Sequence, residues 1–217
     1  MYALASEHAA HAVPVGEPGI VDTLLWGVLP YVTILVLIGG TIWRYRTDQF
    51  SWTTRSSQIY ESKMLRLGSP LFHYGLAAVF MGHVGGLVVP KMLTDLVVDD
   101  HTYHIVALLG GSAAAAATIL GLFLLLWRRR RNAQVFSATT MNDKFMYFVL
   151  VAVILAGTAA TLISAFDPSG GLPPVNGHEV EFNYRTSIAV WFRSIFYFHP
   201  EVALMVNVPV AFKIHII

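Results

Sequence analysis

The chain has 217 residues, 55% hydrophobic and only 12% charged, with a mean hydropathy of +0.59, whereas a soluble domain carries about 25% charged residues. Its 14 Lys and Arg nearly cancel 13 Asp and Glu, which leaves no basic surface for nucleic acid. The absence of cysteine excludes disulfides, iron–sulfur clusters, thiolate zinc sites and covalent c-type haem attachment, so any cofactor is held by His, Met, Lys or carboxylate, or non-covalently.

Residues 1–20 carry Glu7, Glu17 and two prolines but no basic stretch, and read as an external tail rather than a cleaved signal peptide. About 20 apolar residues cross a bilayer core. Such runs occupy residues 21–43, 70–89, 103–127 and 145–166. A fifth starts near Pro209, a residue suited to a first helical turn, with Asn207 as its expected N-cap. It reaches Ile217 inside an apolar run with no cap or polar tail, and is expected to be incomplete. The expected fold is an all-α membrane bundle, one domain over 1–217, with five spans (the last truncated) and an external loop at 167–206.

Basic residues orient the bundle. The connections 43–69 and 128–144 hold ten of the 14, including Arg128, Arg129, Arg130 and Arg131. The connection 90–102 has only Lys91, and 167–206 only Arg185 and Arg193. The N-terminus is therefore expected outside, with the first and third connections cytoplasmic. The run of four arginines reads most simply as a topology signal, and more sharply as a contact for a cytoplasmic partner or anionic lipid.

His73 and His83 lie in the second span, in the otherwise apolar stretch SPLFHYGLAAVFMGHVGGLVVP. An ionisable residue inside a membrane is costly and usually functional. Ten residues separate the two by about 15 Å along a helix, which suggests two stacked buried metal or haem centres. His83 lies six or seven residues before the outer end of its span, and His215 six residues, about 9 Å, after Pro209 on an antiparallel helix. The two therefore share a depth at which they can grip one iron from opposite sides. The simpler alternative is that each histidine hydrogen-bonds a neighbouring helix. Gly82, Gly85 and Gly86 beside His83 serve either close helix packing or room for a flat macrocycle. His101 and His104, with Tyr103, at the outer end of the third span, read first as interfacial anchors and second as a proton-accepting site. His8 and His11 are expected to be solvated; His178 and His199 receive no role.

The stretch from Trp43 to Pro90 resembles the gamma subunit of respiratory nitrate reductase, a di-haem cytochrome b. The matching features are WRY, Q-F-S-W, R-S-S-Q, S-x-L-F-H-x-G and G-H-x-x-G, with GG at 110–111 and FHPEVALMVNVPVAFKIH at the end. The resemblance runs from about Leu24 to the last residue. It implies two non-covalent haems b: a distal one near the outer face held by His83 and His215, and a proximal one held by His73 and a partner beyond residue 217. It implies a membrane quinol oxidised near the distal haem, with protons released outside. Electrons then pass through both haems to a cytoplasmic beta subunit with iron–sulfur clusters and an alpha subunit with molybdenum, where nitrate becomes nitrite. The implied location is the cytoplasmic membrane. Some family members contact the quinol through a lysine at the start of the third helix, where this chain has Thr102; His101, Tyr103, His104 and Lys91 lie near it in sequence. The competing readings are the b-type subunit of a quinone-linked formate dehydrogenase, hydrogenase or sulfur-cycle reductase, against which the loop motifs argue, and a haem-free transporter or scaffold, for which no internal repeat is present.

Overall fold

The computed structural model describes residues 16–51, 57–167, 169, 172 and 182–217. His8, His11, His178 and residues 52–56 of the loop motif lie outside them. Four helices are long and apolar enough to cross a membrane: α1 Ile20–Thr47, α2 Lys63–Val88, α3 Asp100–Arg131 and α4 Met141–Phe166. No more than 17% of the apolar window of any of them is buried within the chain. Their apolar side chains therefore face outward, which a bilayer tolerates and water does not. Each helix is longer than its expected span, α1 and α3 at both ends and α2 and α4 at their starts, with α2 stopping at Val88. The apolar run measures hydrocarbon thickness, whereas helical hydrogen bonding continues into the headgroups, and at α3 four arginines complement the negative C-terminal end.

Two shorter helices follow. α5, Ile188–Phe196, lies within the stretch expected to be loop and buries Ile188, Ala189, Trp191, Ser194 and Ile195. That spacing puts one apolar stripe on one face. α6, Val210–Ile216, has seven residues, too few to count as a span. Its cap is Pro209 rather than Asn207, because Pro209 takes φ −55° and an extended ψ of 142°, so helical winding begins one residue later.

The chain divides into two compact units, one of residues 1–53, 86–93 and 162–217, the other of 54–85 and 94–161. The first is built on Trp26, Phe182, Ile188, Trp191, Ile195, Met205 and Val208. Its key joint follows from one proline. Pro30 has no N–H, so the carbonyl of Trp26, four residues earlier, loses its α-helical donor. The turn Thr23–Val28 is π-helical, and Trp191 Nε1 donates to Trp26 O at 2.8 Å. The two indoles meet edge to face at 5.7 Å and 88°. One turn on, the Tyr31 hydroxyl donates to Ile195 O at 2.9 Å. α5 is thereby tied to α1.

In the second unit α2 and α3 pack through small residues. A Cβ at Gly75 would lie 2.7 Å from Thr118 N and Oγ1, one at Gly68 3.1 Å from the Leu124 side chain, and one at Gly121 against the Phe72 backbone. The helices thus meet backbone to backbone, as membrane helices with small interfacial residues do. The start of α2 and the end of α3 are clasped by Arg128, only 3% exposed. Its guanidinium donates to Glu61 Oε2 at 2.6 Å, Glu61 O at 2.6 Å, Ser57 Oγ at 2.8 Å and Ser57 O at 2.7 Å. Glu61 Oε1 accepts the Met64 N–H at 2.8 Å and so caps the start of α2. The arginine run is therefore not one charged patch. Arg128 turns inward, Arg129 lies over Tyr147 and donates to Thr139 Oγ1, and Arg131 lies over Trp127.

Candidate functional site

His73 and His83 both stand on α2, off the face that packs against α3. Ten residues at about 100° each place them about 80° apart around the axis, on one broad side of the helix. Phe72, buried against α3, meets the His73 ring edge-on at 5.2 Å. His73 Nδ1 lies 2.7 Å from Ser69 O, and His83 Nδ1 lies 2.8 Å from Val79 O. A carbonyl only accepts, so each Nδ1 carries the hydrogen and donates it, and Nε2 is left as the lone-pair nitrogen. A ring whose Nδ1–H is held by a backbone carbonyl is oriented and made more basic as a metal ligand.

The glycines beside His83 divide between the two roles expected for them. A Cβ at Gly86 would lie 3.2 Å from the Tyr184 ring, which is close packing. At Gly82 and Gly85 a Cβ would meet nothing within 4 Å, so those two positions stand open. A fixed Nε2 lone pair has the chemistry that holding a haem iron would need. His83 closes the α-helical part of α2, and the following turn, Val84–Val88, is π-helical. Single π turns inside α-helices often accompany functional residues; nothing in the sequence pattern distinguishes them.

His215 is half-buried on α6, in the first unit, whereas His73 and His83 belong to the second. Two residues before it, Lys213 turns back and donates Nζ to Val206 O at 2.8 Å. Lys91, half-buried and in the first unit, opens the helical turn Lys91–Thr94. His101, Tyr103 and His104 lie in the first turns of α3 in the second unit; His101 and His104 are exposed and Tyr103 is half-buried. Asp99 caps that helix: its Oδ2 accepts from Thr102 Oγ1 at 3.1 Å and Thr102 N at 3.3 Å. The Thr102 hydroxyl and then its N–H hold the Asp99 carboxyl below the usual aspartate range. Thr102 is thus engaged as a capping partner. Among the described residues no group of three or more His, Asp or Glu is arranged to hold a bare metal ion.

Comparison with known proteins bears on the same region. The family model described as nitrate reductase gamma subunit matches residues 22–217. The nitrate reductase-like protein NarX of Mycobacterium tuberculosis is 46% identical over 195 residues, 89% of this chain. This chain spans only 28% of that protein's length. The nitrate reductase gamma chain of Bacillus subtilis is 38% identical over 195 residues, 89% of this chain and 82% of the relative. The respiratory nitrate reductase 2 gamma chain of Escherichia coli is 25% identical over 197 residues. With the match running through α1 to α6 and across His73, His83 and His215, this multi-pass membrane chain belongs to the nitrate reductase gamma subunit family.

Proposed function

We propose that this chain is the quinol-oxidising, haem-bearing membrane anchor of a respiratory nitrate reductase. The observation that carries the reading is the pair of held imidazoles on α2, ten residues apart within the family match. By the family resemblance, His83 and His215 would hold a haem b nearer the outer face, and His73 would hold a second haem b nearer the cytoplasm. When bound, haem supplies one-electron chemistry, which splits the two electrons of a quinol into single transfers. The chain's own part is to orient. Ser69 O and Val79 O hold the Nδ1–H groups, so that each Nε2 presents its lone pair. Gly82 and Gly85 leave their own two positions open.

Quinol arrives from the bilayer between helices and releases its protons outside, with His101, Tyr103, His104 and Lys91 as the groups proposed to accept them. Electrons leave to iron–sulfur and molybdenum subunits on the cytoplasmic side, where nitrate is reduced to nitrite. The proposed setting is the cytoplasmic membrane, with five spans and the N-terminus outside.

The test is a reduced-minus-oxidised spectrum with haem stoichiometry on membranes carrying the intact complex. Two b haems reducible by a quinol analogue are expected. His83→Ala or His215→Ala is expected to remove the outer haem and abolish quinol oxidation, leaving the other haem visible. A His83→Ala protein that keeps both haems and its activity would refute the assignment.

A further inference from the structure

We propose that Arg193 is a positioning residue for His83, acting through the π-helical turn that ends α2. This rests on the reading of His83 as a haem ligand.

Arg193 is one of two basic residues in the connection 167–206, on the side where positive charge is sparse. It is half-buried on the amphipathic α5, and its placement has a structural reason. Its Nη1 donates to Leu87 O at 2.9 Å. Leu87 belongs to the turn Val84–Val88. Carbonyls at a helix C-terminus lack intrahelical donors and carry the negative end of the dipole. A permanent cation with a planar fork of donors is suited to that end. Two further contacts from the same unit hold this turn: Gly86 lies under the Tyr184 ring, and Leu87 packs against the cluster containing Trp26 and Trp191.

The helix is continuous from this turn into His83. Val84 N–H is shared between Phe80 O and Met81 O, and His83 Nδ1 reaches Val79 O. A π turn winds more slowly than an α turn and is a rare, local departure from it, and here Arg193, Tyr184 and the Trp26 cluster all bear on it. If Arg193 lets go, the turn is free to rewind. The residues at its junction then rotate about the axis, and His83 is the junction residue. A rotation of that imidazole changes its angle to a bound iron without removing the ligand, an effect on tuning rather than on occupancy.

The test uses the intact complex in its membranes, with Arg193→Leu, Arg193→Lys and Gly86→Ala. Electron paramagnetic resonance and optical redox titration read the two haems separately, and hydrogen exchange reads the amides of residues 84–88. The expected result for Arg193→Leu is a shifted low-field signal and midpoint potential of the outer haem, an unshifted inner haem, unchanged haem content, and several-fold faster exchange at 84–88. Arg193→Lys, which keeps the charge but not the fork, is expected to fall in between. Gly86→Ala, which must push the Tyr184 ring aside, is expected to shift the same signal if Arg193→Leu does not accumulate. Unshifted signals in these variants, with or without less protein, overturn the proposal and leave the ligand reading standing. A parent complex with no b haem overturns both.

Discussion

At single residues, the consequences turn on which backbone groups lack a donor and which close approaches lack room. Pro30 removes the α-helical donor of the Trp26 carbonyl, and Trp191 supplies one from far along the chain. Trp191→Phe keeps the ring and removes the N–H, and a buried unsatisfied carbonyl costs about 1–3 kcal/mol. In a Pro30→Ala background the helix regains its own donor, so the same substitution is expected to cost markedly less. Unfolding midpoints in mixed micelles for the four proteins of this cycle would measure the coupling; strict additivity would refute the joint. Glycines divide likewise. Gly121→Ala drives a methyl into the Phe72 backbone, and overpacking of this kind costs about 1–3 kcal/mol. Gly110→Ala meets nothing within 4 Å and is expected to be silent. The same unfolding assay separates them.

Among elements, the join between α2 and α3 depends on charge as well as on small residues. The Glu61 carboxyl is held below its ordinary 4.5, chiefly by the Met64 N–H and further by Arg128. A depressed carboxylate stabilises the fold above its unfolded value and loses that contribution as pH falls through the lowered one. The clasp is therefore expected to be intact at neutral pH and to open only in acid. Glu61→Gln, which cannot ionise, is expected to release residues 57–61 already at about pH 5, where the wild type still holds. Pepsin cleavage of that connection against pH checks this, and coincident profiles for the two proteins would count against the clasp. The elements themselves were largely legible. Apolar runs announced α1 to α4, since a bilayer demands about 20 apolar residues whatever the fold. α5 is not announced in this way although its stripe is present from Ile188 to Ile195, because nine amphipathic residues fall well short of the apolar run of about 20 that marks a span. The cap at Pro209 was misplaced by two residues because proline's own backbone ended the extended segment.

For the whole molecule, the lack of cysteine supplies a clean test of orientation. Tyr197→Cys lies at an exposed position beyond α5 and Ser137→Cys at an exposed position between α3 and α4. With the N-terminus outside, a membrane-impermeant maleimide is expected to label Tyr197→Cys in intact cells and Ser137→Cys only after permeabilisation. The reverse pattern would invert the proposed topology and move quinol oxidation to the other face.

What the sequence determined by itself was the solvent and the chemistry on offer. Hydropathy, the absence of cysteine and two histidines ten apart in an apolar run are local properties, and the resemblance to the gamma subunit family, supported by the match over residues 22–217, follows from linear motifs. What only the tertiary structure decided was which groups are held and by what. That Arg128 turns inward while its neighbours lie on aromatic rings, that Gly86 is packed while Gly82 is bare, that Asp99 takes up Thr102, and that Arg193 caps the turn after His83 all depend on partners brought together by folding. A linear pattern records what each residue can donate or accept, but an orphaned carbonyl or an open glycine face exists only once the chain has folded around it.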